Sequence, residues 1–114
     1  MTAGEGVETI LSLRQILPEL PMIAALSAAH LAAVLFPHGL RRLYIVRDDD
    51  PAGDGARDRL IDRATSAGIE AIPLSPVLGD FNDDLVIRGI DALRAGVQAQ
   101  LAHRDIIRFM HPTP

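Results

Sequence analysis

A chain of 114 residues with 48% hydrophobic and 23% charged residues has the composition of a soluble globular protein and the length of one domain rather than two. The formal charge of −4 argues against a basic protein that coats nucleic acid, but not against an enzyme whose carboxylates are offset by metal ions. Zero cysteines exclude disulfides and cysteine-ligated zinc, and all 11 basic residues are arginine, which removes Walker-type phosphate loops and Schiff-base catalysis, both of which need lysine.

No apolar run reaches the roughly 18 residues of a membrane span, and the N-terminus lacks a basic region followed by an apolar core. A cytoplasmic protein without membrane contact is therefore expected. In chain order, apolar positions at 7, 10, 11, 13, 16 and 17 predict a helix over 7–17, ended by Pro18 and Pro21. Residues 22–26 read as a strand. Ser27 is placed to cap a helix over 28–36, and Pro37-His38-Gly39 breaks the chain. Residues 43–46 are uniformly apolar, the pattern of a parallel strand covered on both faces. An amphipathic helix follows over 52–67, with Gly68 as its C′ residue. The remaining elements are a strand over 69–74, a polar turn over 79–84, and helices over 83–93 and 97–109. This alternation predicts an α/β fold with a parallel sheet. One unit spans 1–114, with a motif-bearing core over about 4–85 and a helical segment over 86–110.

The chemistry concentrates where the predicted strands stop. Strand 43–46 leads through Arg47 into Asp48, Asp49 and Asp50. On an extended segment alternate residues share a face, so Asp48 and Asp50 would grip one hard cation through oxygen. The competing reading makes Asp50 an N-cap with Pro51 at the first helical position, which leaves Asp48 and Asp49 unexplained. Asp80 stands in the turn after the next strand, where it either approaches the D-x-D or caps a helix. Glu5 and Glu8 precede or open the first helix, where acids are favoured anyway. Arg41, Arg42 and Arg47 flank the central strand as candidate contacts to phosphate or nucleic acid. The four histidines show no ligand spacing, and Ser27 lacks a nucleophile-elbow context.

Together, E-G-V-E-T from Glu5, R-D-D-D-P-A-G from Arg47 and G-D-F-N-D-D-L from Gly79 resemble the Toprim domain of bacterial primases, topoisomerases and certain nucleases. The resemblance is to the primase-like type of phage and plasmid replication proteins. It implies a Rossmann-like sheet, general acid/base chemistry by Glu5, and Mg²⁺ or Mn²⁺ held by Asp48, Asp50 and Asp80. It also implies nucleotidyl or phosphodiester chemistry on nucleic acid. The implied partners are a single-stranded template, nucleotides and further replication domains, such as a zinc-binding primase domain or a helicase.

In that family a strand precedes the glutamate. Only Met1 to Gly4 stand before Glu5 here, so the first strand is expected to be truncated, Glu5 weakly anchored and the chain a fragment. Whether the isolated chain is an active enzyme is left open. The alternatives are a Toprim nuclease using the same acids, or a non-catalytic remnant serving as an interaction module. A receiver-like module and a haloacid-dehalogenase-type phosphatase also cluster acids at strand ends. The former needs a lysine, and the latter normally needs a lysine or arginine together with different residues after its first aspartate.

Overall fold

A computed structural model of the chain describes residues 1–47 and 51–110. Four parallel strands form one sheet in the order β2-β1-β3-β4. They are β1 (Thr2–Gly4), β2 (Met22–Ala24), β3 (Arg42–Val46) and β4 (Glu70–Leu74). Helices α1 (Val7–Arg14), α2 (Ala28–Ala32) and α3 (Pro51–Ser66) make the crossovers. After β4 come α4 (Phe81–Asp83), a π-helical turn (Asp84–Arg88), α5 (Ile90–Gln98) and α6 (His103–Phe109).

The alternation of side chains along β3 divides the core in two. Tyr44 and Val46 pack with Ile10, Leu13 and Leu17 from the α1 side and with Leu93 and Val97 of α5. Leu43 and Ile45 pack on the other face with Leu31 of α2 and Ala56, Leu60 and Ala64 of α3. Both faces are covered, which is why the strand reads as an unbroken apolar run. Pro73 lies in β4, at the edge of the sheet, where a missing N–H is tolerated.

The expectation that too few residues precede Glu5 to form a strand is corrected. β1 is present and lies inside the sheet, with Thr2 and Ala3 in register with Met22 and Ile23 on one side and with Tyr44 and Ile45 on the other. Its three residues suffice because β2 is equally short and because pairing runs past both ends. The Met1 carbonyl accepts the Tyr44 N–H at 2.8 Å, and the Glu5 carbonyl accepts the Leu26 N–H at 2.8 Å. Gly4 makes the close packing possible. A Cβ there would lie 2.9 Å from Ile10 Cδ1 and 3.1 Å from Val46 Cβ, so α1 and β3 close on this strand around a bare backbone.

Helix boundaries depart from periodicity where tertiary bonds intervene. α2 stops at Ala32, short of Phe36, because Arg63 of α3 donates to the Ala32 and Val34 carbonyls at 2.7 and 2.9 Å. The helix expected over 83–93 is interrupted at Gly89, whose φ of +91° is a conformation open essentially to glycine alone. α5 ends at Gln98 and α6 starts at His103; Ala99, Gln100 and Leu101 still donate their N–H groups back to α5, and the break comes at Ala102. Ala102 donates its N–H to the Tyr44 hydroxyl at 3.0 Å.

Tyr44, the chain's single tyrosine, also donates to Asp105, which accepts from Arg42 Nη1 at 3.0 Å. This partly buried network ties α6 to the sheet. Burial, and then the hydrogen bond to Asp105, push the Tyr44 phenol above its usual range. The folded state therefore keeps a proton that the unfolded chain releases above about pH 10. Stability from this source is complete below that pH and is lost as the pH rises through the folded value, at up to about 1.4 kcal/mol per pH unit. Tyr44→Phe should lower stability by about 1–2 kcal/mol at neutral pH and flatten the alkaline loss, as read by urea unfolding at a series of pH values.

Candidate active site at the carboxyl edge of the sheet

Parallel strands bring their carboxyl ends to one edge. Here α1 leaves β1 on one face while α2 and α3 cover the other. The winding thus reverses between β1 and β3, the point where open α/β sheets leave a crevice for ligands.

Glu5 follows β1 directly at this point. Far from being weakly anchored, its backbone is fixed by the Leu26 N–H, and the Gly4 carbonyl beside it accepts the Ala25 N–H at 2.7 Å. Glu5 Oε2 is buried and has no hydrogen-bond partner among the described residues. A carboxylate oxygen withdrawn from water without a partner is unfavourable. Oxygen of this kind is what a hard divalent cation takes as a ligand, so Glu5 fits a metal site. α1 then opens at Val7 with Gly6 as an N-cap that offers no side-chain bond, leaving first-turn N–H groups without a side-chain cap next to Glu5.

The donor that fixes Glu5 is itself held in an unusual conformation. Leu26 has φ +72° and is 70% exposed. A leucine in the left-handed region costs roughly 1–2 kcal/mol. Such strain persists only where neighbouring structure enforces it, and it gathers at functional sites. Ser27, next in the chain, caps α2 by accepting the His30 N–H at 3.1 Å.

At the end of β3, Arg47 is exposed and its N–H donates to the Leu74 carbonyl at 2.8 Å. With Arg57, Asp58 and Ile61 of α3, Arg47 lines a cavity of about 330 Å³. Asp48 and Asp50 lie outside the described residues. Among the described residues, no group of three or more histidine, aspartate or glutamate side chains converges to hold a metal.

Asp80 is the N-cap of α4, its Oδ1 accepting the Asp83 N–H at 2.7 Å. The cap uses one oxygen and leaves the other with free lone pairs. The loop that delivers Asp80 is pinned at three places. Gln100 accepts the Ser75 N–H at 2.7 Å and donates back to the Ser75 carbonyl at 2.9 Å, acting as a one-residue substitute for a fifth strand. Asp84, only 2% exposed, accepts the Val77 and Leu78 N–H groups at 2.8 and 2.7 Å, one on each oxygen. Asn82 Oδ1 lies 3.3 Å from Ser12 Oγ, joining α4 to α1. In the sequence, Asp84 looks like one more favourable charge at a helix N-terminus, and Gln100 gives no signal at all.

Arg41 and Arg42 sit at the opposite end of β3. Four strand steps at roughly 3.3 Å each separate Arg42 from Val46 by about 13 Å. Arg42 is engaged by Glu70 and Asp105, at 3.2 and 3.0 Å. These two arginines therefore do not share the edge that holds Glu5.

An all-parallel sheet with a glutamate after β1 at the winding reversal and an acid-bearing loop after β4 defines a Rossmann-like α/β module with a carboxylate edge. The chain belongs to the Toprim domain family, whose model matches residues 1–91. Toprim domains process nucleic acids and generally bind divalent metal ions. No curated protein and no solved structure matches the chain.

Proposed function

We propose that this chain is the Toprim module of a primase-like replication protein and carries out Mg²⁺- or Mn²⁺-dependent nucleotidyl transfer on a single-stranded template. The observation that carries the reading is Glu5 Oε2, buried and without a partner among the described residues, at the end of a strand paired on both sides. Asp48, Asp50 and Asp80 would hold the metal with the Glu5 carboxylate beside them, where Glu5 would both contact the ion and take the proton of the attacking hydroxyl. A bound divalent ion neutralises and orients the oxygens of the transferring phosphoryl group. Arg47, exposed beside the D-x-D, would meet the incoming phosphate. Partner domains of the replication protein, such as a zinc-binding or helicase domain, would present the template.

The test pairs two assays on the same preparation. One follows incorporation of labelled nucleotides on a single-stranded template, and the other follows cleavage of a labelled strand. Incorporation that needs Mg²⁺ or Mn²⁺ supports the primase-like reading, whereas cleavage without incorporation makes the module a nuclease with the same acids. Metal binding is read separately by thermal unfolding. Mg²⁺ or Mn²⁺ should raise the melting temperature of the wild type and leave Asp48→Ala/Asp50→Ala unchanged. An equal response of both proteins would refute the metal assignment.

A further inference from the structure

The end of the sheet away from Glu5 carries its own concentration of charge. A cavity of about 550 Å³ opens there, lined by Arg41, Arg42, Arg104 and Arg108 together with Asp105 and Phe109. Arg42 and Asp105 are committed to each other, to Glu70 and to Tyr44, so they form a fixed wall. Arg41, Arg104 and Arg108 are exposed, and none of them forms an ion pair among the described residues. Arg104 and Arg108 are four residues apart on α6, which places their side chains on one helix face with Cβ atoms about 5–6 Å apart. Arg108 is further held over the Phe109 ring, its Cζ 5.0 Å from the centroid, so its guanidinium is already positioned.

We propose that this cradle is a second nucleic-acid site, in which Arg41, Arg104 and Arg108 bind successive phosphates of a single strand at the amino end of the sheet. The proposal rests on the chain's membership of a family that acts on nucleic acids, but not on the metal assignment of Glu5 and the D-x-D. Guanidinium forks match phosphate oxygens in a way that a point charge does not, and every cation of this chain other than histidine and the amino terminus is arginine. The placement also has an electrostatic logic. On a chain of net charge −4, a polyanion is repelled by the acidic edge until cations bridge it, whereas the amino end attracts it outright. A strand anchored there would stay on the module whether or not metal is bound.

The experiment is fluorescence anisotropy with a labelled oligothymidylate in EDTA, across a range of salt concentrations, on the full chain. Each phosphate contact to a single strand contributes about 0.7 to the slope of log K against log salt, so the wild type should show a slope near −2. Arg41→Gln/Arg104→Gln/Arg108→Gln should weaken binding at least about tenfold and bring the slope close to zero. The single Arg104→Gln and Arg108→Gln variants should each remove about one contact. These side chains are exposed, and circular dichroism checks that the fold is retained. Asp48→Ala/Asp50→Ala should bind the oligonucleotide as the wild type does, so failure of the metal reading would leave this result intact. Equal affinity and slope in the wild type and the triple variant overturn the proposal. So does displacement of the oligonucleotide by millimolar inorganic phosphate, which would mark a single-phosphate site, or binding of polyglutamate in its place.

Discussion

Asp84→Ala should lower the stability of the chain by about 2–5 kcal/mol and its melting temperature by 10 °C or more, and it should release the loop that carries Asp80. The magnitude follows from what the alanine leaves behind. The Asp84 carboxylate is buried and accepts two backbone N–H groups, those of Val77 and Leu78. A hydrogen bond to a charged group contributes about 1.5–3 kcal/mol, and because Val77 and Leu78 are themselves exposed, water replaces part of what the two N–H groups lose. Asp84→Asn separates the contributions. Its single carbonyl oxygen can serve one of the two donors while its amide points at the other, so it should lose about half as much stability by urea unfolding. Hydrogen exchange at Val77 and Leu78 reads the same bonds directly, with protection falling at both in the alanine variant. Because the loop ends in Asp80, any metal-induced stabilisation should weaken in Asp84→Ala even though Asp84 holds no metal. An unchanged metal response together with lost protection would separate Asp80 from the metal site.

The features that depend on local pattern were legible in the sequence, and those that depend on long-range bonds were not. The uniform apolar run of β3 announces a strand covered on both faces, and Leu43/Ile45 and Tyr44/Val46 do face two separate cores. Gly68 marks the end of α3 and adopts φ +76°, the left-handed conformation that a C′ glycine serves. Ser27 and Asp80 cap α2 and α4 as their positions suggest. The first strand reads as truncated in the sequence because Thr2, Ala3 and Gly4 are small and few, and the absence of a side chain at Gly4 reflects the approach of Ile10 and Val46 to the backbone. Periodicity weighs side chains and is blind to a strand whose contribution is its backbone. Gln100 was invisible for a related reason, since its amide imitates a peptide group toward Ser75, and nothing in a helical pattern distinguishes it from any solvated glutamine. The arginines divided in the same way: their places on either side of β3 were plain, but only the fold shows that Arg42 is taken up by Glu70 and Asp105.

Glu5→Gln should make the metal-free chain more stable while abolishing its stabilisation by Mg²⁺ or Mn²⁺, and this opposition of signs distinguishes a functional carboxylate from a structural one. In the wild type a carboxylate oxygen is buried without a partner among the described residues, so the folded state carries an unfavourable desolvation that the unfolded chain does not. Glutamine keeps the shape and removes the charge, which should add about 1 kcal/mol and raise the melting temperature in EDTA by roughly 4–8 °C. With metal at about 100 times its dissociation constant, the wild type should gain about 2.7 kcal/mol from binding the folded state alone, and the variant should gain little. The two melting curves should therefore cross as metal is added, the variant melting higher in EDTA and the wild type higher in saturating Mg²⁺. Nucleotidyl transfer or cleavage, whichever the paired assays detect, should fall by about 10²–10⁴-fold in Glu5→Gln, the contribution typical of a positioned acid or base. A structural role predicts the reverse ordering. If Glu5 served the fold through an unseen donor, glutamine would lower stability with and without metal alike, and parallel curves would remove it from the site. The distinction holds because β1 is paired on both sides. The Leu26 N–H fixes the Glu5 carbonyl independently of its side chain, so the substitution changes the charge at the carboxyl edge and leaves the strand that presents it in place.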